Sequence, residues 1–215
     1  MHTRRGRKAT IEAAQAATAA LVDHAATERE QAVRVWRPHR QVAFGRRDQH
    51  DEGYELARET ADERGFPATS RDVGGRAVVF TGTTVAFVHA IPVDGARGGI
   101  QRRYDDATVT LQRALSALGV ETTRGEPPHS FCPGTHSLQA DGKLAGLAQR
   151  VTDDVAVVAG VVLTAEHELF CALTRAVYER MDVPFDPDSV ATISDSGGPD
   201  DPEATVDAIL TAFVD

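Results

Sequence analysis

Apolar and small residues recur at helical spacing over residues 10–31, with Ile11, Ala14, Ala17, Leu21 and His24 or Ala25 near one face, which predicts an alanine-rich helix. Two short apolar runs follow, "VRVW" and "QVAF", separated by Pro38 and closed by Gly45, and both predict strands. The stretch "DEGYELARETADERG" carries its acidic residues early and ends at Gly65, so it predicts a helix. In "FPATSRDVGGRAVVFTGTTVAFVHAIPV" extended segments are predicted on either side of a Gly-Gly turn, with Val85 and Phe87 on a half-buried strand. Tyr104, Thr108, Leu111, Leu115 and Leu118 then share a face of a strong amphipathic helix that stops at Gly119. Residues 130–150, "SFCPGTHSLQADGKLAGLAQR", read as loop, strand, turn at Asp141-Gly142 and strand. "VAVVAGVVL" predicts a buried strand. "TAEHELFCALTRAVYERM" and "DDPEATVDAILTAFVD" predict helices, the second with Pro202 where a missing N–H costs nothing.

This order is neither a βαβ alternation nor a repeat. It predicts an α+β fold with a mixed, largely antiparallel sheet flanked by helices. A chain of 215 residues suits a single domain over 1–215, with 10–190 as its core and 191–215 as a loop and C-terminal helix. No run approaches the roughly 20 apolar residues that span a bilayer, so no membrane partner is expected. The basic start is followed by Glu12, Gln15 and Asp23, which interrupt any signal-peptide core, and a cytoplasmic location is the expectation. A net charge of -9 argues against nucleic acid as a partner. Basic residues are almost all arginine, Lys8 and Lys143 being the only lysines; with the acidic excess, this suggests a GC-rich, salt-adapted source. Two cysteines, Cys132 and Cys171, make no disulfide framework and have no zinc spacing around them, so no metal is expected.

The candidate chemistry concentrates in 130–150. Cys132 precedes Pro133-Gly134, a turn that would present its thiol at a loop edge as a nucleophile; the competing reading is a small buried hydrophobe. Cys171 sits among Phe170, Leu173, Val177 and Met181 and takes the second reading. Lys143 opens a strand after a tight turn. It either points its compact three-donor ammonium into a cleft or is an exposed turn residue. The paired glycines of "RDVGGRAVV" mark a tight turn or a close approach of backbone to a ligand. His129 and His136 flank Cys132 and could polarise the thiol, whereas His89 lies in an apolar strand and reads as structural. No HExxH, GxSxG, Walker or GxGxxG pattern is present.

Taken in order, "VWRPHRQVAFGRRDQ", "SRDVGGRAVVF", "TTVAFVHAIPV", "YDDATVTLQRALSALGV" and "SFCPGTHSLQADGKLAGLAQRV" resemble the family of lipoate-protein ligases and lipoyl or octanoyl transferases. The FCPG and GK-x-AG-x-AQR pieces look most like its cysteine-dependent branch. The resemblance implies a lining role for the Arg-x-x-Gly-Gly loop at Arg71, Gly74, Gly75 and the adjoining Arg76. It implies Lys143 as binder of the acyl carbonyl, Gly146, Ala148 and Gln149 as the strand that walls the site, and Cys132 as nucleophile. It further implies transfer of an octanoyl or lipoyl group through a cysteine acyl-enzyme to a lysine of lipoyl domains, E2 subunits or the glycine-cleavage H protein, without a cofactor. Two alternatives stand beside this. One is a ligase that needs ATP and Mg, with or without a separate accessory subunit; the other is a non-catalytic binder of lipoylated domains. Arg76 and "FTGTT" stand where ligases commonly have a third glycine and a His-Asp pair, which weakens the ligase reading.

Overall fold

A computed structural model describes residues 1–71, 75–95 and 98–215. Among the described residues, ten strands and five α-helices are arranged as two sheets with helices around them. The strands are β1 (His2–Arg5), β2 (Ala32–Trp36), β3 (Gln41–Phe44), β4 (Ala68–Ser70), β5 (Val78–Phe80), β6 (Val85–Pro92), β7 (Thr123–Arg124), β8 (Ser137–Gln139), β9 (Lys143–Val151) and β10 (Val155–Val162). The helices are α1 (Ile11–Glu28), α2 (Tyr54–Glu63), α3 (Ile100–Ala117), α4 (His167–Arg180) and α5 (Pro202–Val214).

The larger sheet runs β1-β2-β6-β10-β9-β8-β7, antiparallel throughout except for the parallel pair β1–β2. The smaller sheet runs β4-β3-β5, with β3 parallel to β4 and antiparallel to β5. A mixed, largely antiparallel sheet with flanking helices is therefore the architecture, as expected. The long β6 and β10 pair over their lengths and are buried on both faces for most of their residues, whereas β9 is buried only at its start, Lys143 to Ala145. On one face Val33, Val35, Val85 and Phe87 pack with Leu111, Leu115, Ile209 and Phe213 of α3 and α5. On the other, Ala32, Val88 and Ala90 pack with Leu21 and Ala25 of α1. Gly160 on β10 makes room for Phe87: a Cβ there would stand 2.1 Å from the ring.

The small sheet packs with α2 and α4 around Phe44, Phe66, Val79, Phe170, Val177 and Tyr178. Between the two sheets lies a separate apolar contact of Ala43, Val78, Phe80 and Ala86, against which Trp36, Val161 and Cys132 pack. Cys132 and Gly75 meet at this seam. Two elements escape the hydrophobic pattern: β1, whose "HTRR" reads as a polar start, and the two-residue β7. Both are edge strands, held by ladder bonds to a neighbour rather than by their own apolar residues. Among the described residues no helix is long and apolar enough to cross a membrane.

Candidate active site

The loop from Gly125 to His136 leaves β7, crosses the end of the small sheet and returns into β8. Phe131, 1% exposed and set edge-on to Phe170, anchors it in the core. Cys132 is the next residue. Its backbone is left-handed at φ 40°, a conformation that costs a non-glycine residue on the order of 1 kcal/mol and persists only where neighbours enforce it.

Those neighbours can be named. The Cys132 N–H donates to Tyr178 Oη at 2.7 Å, and that hydroxyl donates to the Ala77 carbonyl at 2.9 Å. One buried phenol on α4 thereby ties the cysteine loop to the segment following the paired glycines. Burial, with the thiol of Cys132 nearby, pushes the Tyr178 hydroxyl well above its ordinary range, so it acts as a neutral donor. From the other side, Lys143 Nζ donates to the carbonyls of Phe131 at 2.8 Å and Cys132 at 3.0 Å. The ammonium also lies 3.0 Å from both carboxylate oxygens of Glu126 and 4.6 Å from the Phe131 ring centroid. Ser137 Oγ donates to Glu126 in turn. At 1% exposure Lys143 is neither a surface turn residue nor open to an empty cleft. Burial lowers its pKa, and Glu126 and Cys132 oppose that shift.

The thiol faces Gly75. Gly75 has φ +99°, and a Cβ there would stand 2.6 Å from Cys132 Sγ and 3.2 Å from Arg71 Nη2, so any side chain would displace the sulfur. Arg71 Nη2 donates to Cys132 Sγ at 3.2 Å and to the Arg76 carbonyl, folding the loop onto the cysteine with a charge-assisted contact. Gly74 lies outside the described residues, as do Asp72 and Val73.

The remaining residues that the sequence singled out fall in three places. Gly146 abuts Lys143, a Cβ there lying 3.4 Å from Cε. Arg76 turns to Asp48 and Asp51 and pairs with both. Ala148 and Gln149 are paired with Ala159 and Val158 of β10, and the Gln149 side chain is spent on α3, accepting from Arg103 Nε at 2.7 Å and donating to the Ile100 carbonyl at 3.1 Å. Neither histidine near Cys132 engages the thiol: His136 stacks on Tyr104 at 3.6 Å, and His129 is exposed. His89 bonds Gln31 and is held neutral by burial, its pKa down to about 4. Cys171 is buried and its thiol is pushed up to about 12, first by desolvation.

Glu126 and Tyr178 are the site groups that no motif announced. A signal existed for the first, because a lysine on a buried strand needs a counter-charge. Few acids lie close enough in the chain to serve, Glu121, Glu126 and Asp141 among them. Tyr178 has no such signal; one turn of α4 among apolar neighbours does not reveal where its hydroxyl points.

The family profile described as "Lipoyl protein ligase A/B catalytic domain" matches residues 10–214. Among curated relatives, an Octanoyl-[GcvH]:protein N-octanoyltransferase of Anoxybacillus flavithermus is 31% identical over 151 residues, 69% of this chain and 54% of that protein. One of the same name from Geobacillus kaustophilus is 27% identical over 149 residues, 68% and 53% respectively. The chain thus spans about half the length of these relatives. Among solved structures, lipoate-protein ligase A bound with ATP superposes with a TM-score of 0.72 at 16% identity, over 99% of this chain and 84% of that one. An archaeal bi-partite lipoate protein ligase studied with its E2 lipoyl domain, from Thermoplasma acidophilum, gives 0.69 at 15%, over 99% and 82%. At such identities the structures speak for the fold alone, and it is the profile match over nearly the whole chain that makes this protein a member of the lipoyl protein ligase A/B catalytic domain family.

Proposed function

We propose that the chain is an acyltransferase that carries an octanoyl group on Cys132 and delivers it to a lysine of a lipoyl-type carrier domain. One observation carries the reading. The thiol of Cys132 sits in a left-handed turn against Gly75, under the Arg71 guanidinium, at the end of the apolar seam formed by Ala43, Val78, Phe80 and Ala86 with Trp36 and Val161. These residues pack against one another here, so an octanoyl chain with its carbonyl at the sulfur would have to part them to enter. The names of the relatives add the donor and the acceptor, octanoyl-GcvH and protein.

In the first half-reaction the Cys132 thiolate attacks the carbonyl of an octanoyl-lysine amide. The C–S bond forms, the amide C–N bond breaks, and the departing lysine amine takes up a proton. In the second, the ε-amine of the acceptor lysine attacks the thioester, the new C–N bond forms and the C–S bond breaks. The proton lost by that amine balances the one taken up before. Arg71 supplies positive charge beside the sulfur during both steps. The three protons of Lys143 are shared among four acceptors, Glu126 twice and two backbone carbonyls, so reaching an acyl carbonyl requires exchange of one of them. As it stands, Lys143 is a positioning residue that holds the Cys132 turn. Arg71, Gly74, Gly75 and Arg76 on the glycine loop, and Gly146 with Ala148 and Gln149 on β9, are the substrate-lining set of this proposal, and E2 subunits or glycine-cleavage H protein are its partners. Gly75 and Arg71 contact the thiol; Arg76 and Gln149 would act through Asp48/Asp51 and α3.

An ATP- and magnesium-dependent ligase draws support from the family, which includes ligases by its description, and from the fold. The carboxylates that touch the cations of the site, Asp48, Asp51 and Glu126, are each engaged by Arg76 or Lys143, which leaves them poorly suited to take a magnesium ion. The test is transfer from an octanoylated carrier to an apo lipoyl domain. The proposal expects product without ATP and none from Cys132→Ala; product that requires ATP and survives Cys132→Ala would assign the ligase reaction instead.

A further inference from the structure

On the far side of the large sheet the alanine-rich face of α1 leaves a cleft that the acyl chemistry does not use. The parallel register of β1 and β2 sets Arg4 directly opposite Arg34. Like charges directly opposite on neighbouring strands destabilise a sheet. Arg34 is also 1% exposed. Its Nη1 donates to the Ala14 carbonyl and Thr18 Oγ1, each at 2.6 Å, and its guanidinium lies 4.1 Å from the Trp36 ring centroid. Its Nη2 is buried with no partner. Among the described residues no carboxylate pairs with Arg4, Lys8 or Arg34, whereas Arg5 next to them is taken up by Glu203 and Asp207. Burial lowers the Arg34 pKa to about 10, which leaves the guanidinium charged at neutral pH. A buried cation without a counter-ion is costly, and this one sits in a protein whose net charge is -9.

The space to hold such a counter-ion exists. A cavity of about 550 Å³ near Val120 and Asp195 contains no cation among its lining residues, but a second, of about 380 Å³, is lined by His2, Arg4, Lys8, His24 and Arg34, with Ala17 and Ala20 giving it width. Three side chains at its edge, His2, His24 and Glu30, hold ligand atoms within 4.8 Å of one another, which invites a metal reading. A divalent cation there would share the cleft with Arg4, Lys8 and Arg34, so charge favours an anion.

We propose that this cleft binds a phosphate-type oxyanion, with Arg34 at its floor and Arg4 and Lys8 at its rim. The tetrahedral anion would supply the missing acceptor of Arg34 and separate it from Arg4. The ligand class is inorganic phosphate or a small phosphate monoester.

The experiment follows the imidazole signals of His2 and His24 by NMR in the full-length protein during titration with inorganic phosphate, glycerol phosphate, sodium chloride at matched ionic strength, and zinc. Saturable shifts with phosphate or its monoester, absent with chloride, are expected, and the tighter of the two ligands distinguishes free anion from ester. Arg34→Met should abolish binding. Because its loss could unfold the sheet, the exposed Arg4→Ala is the second variant; removing the like charge opposite Arg34 should leave the thermal midpoint no lower, while phosphate weakens about tenfold. Equal responses to chloride and phosphate, an unchanged affinity in Arg4→Ala, or saturation by zinc without any by phosphate would each overturn the proposal.

Discussion

At the scale of single residues, the site is governed by how a buried lysine is kept charged. Burial drives the Lys143 pKa down and Glu126 holds it up. Removing the carboxylate charge while keeping its shape, in Glu126→Gln, should therefore let Lys143 lose its proton at lower pH. Each unit by which it falls below the assay pH removes about tenfold of the charged form. The expected outcome is an alkaline limb of the transfer-rate profile displaced to lower pH, with Glu126→Asp retaining the parent profile; a uniform loss at all pH values would mean that Glu126 serves only to hold the loop. Cys132, Lys143 and the paired glycines were legible because their motifs are local. Glu126 and Tyr178 were not, since each reaches the site across a loop or from another element. Arg76 and Gln149 show the converse: they stand in matching positions of the motifs, but their long side chains find partners in Asp48, Asp51 and Arg103.

At the scale of elements, periodicity carried the five helices and the long strands, whose apolar faces have only one way to be buried. The pairing order was not legible. β2 lies beside β6 rather than β3 because the chain changes sheets around Pro38, and no local pattern reports which distant strand completes a ladder. β1 escaped for a different reason: it is held by main-chain bonds to β2 and by polar side chains such as Arg5 with Glu203 and Asp207, none of which leaves a trace in the apolar pattern. Gly160 tests the packing of the two longest ladders. Its β10 backbone lies against Phe87 of β6, and a methyl group there has no room. Gly160→Ala should destabilise by about 1–3 kcal/mol, seen as a lower denaturant midpoint, and the double variant Gly160→Ala with Phe87→Leu should recover part of the loss.

At the scale of the whole molecule, two sheets meet at a seam, one face of the larger sheet carries α3 and α5, and the other carries α1. Stability against acid depends on keeping buried groups neutral in this arrangement. His89 has a folded pKa of about 4 against 6.5 for the free side chain, with desolvation as the main cause. Between those values the unfolded chain binds a proton that the fold refuses, so stability falls as pH drops from 6.5 towards 4 and is unaffected by this group above 6.5. The loss is at most about 3 kcal/mol. Urea midpoints across that range should fall less in His89→Gln than in the parent; parallel curves would remove His89 as the cause. The central claim concerns the seam and its thiol, and intact-mass analysis tests it most directly. Incubated with an octanoylated carrier and no acceptor, the protein should gain one octanoyl group, mapped to Cys132, sensitive to hydroxylamine and absent in Cys132→Ala. An adduct on Cys171, or turnover by a Cys132→Ala protein that never forms one, would contradict it.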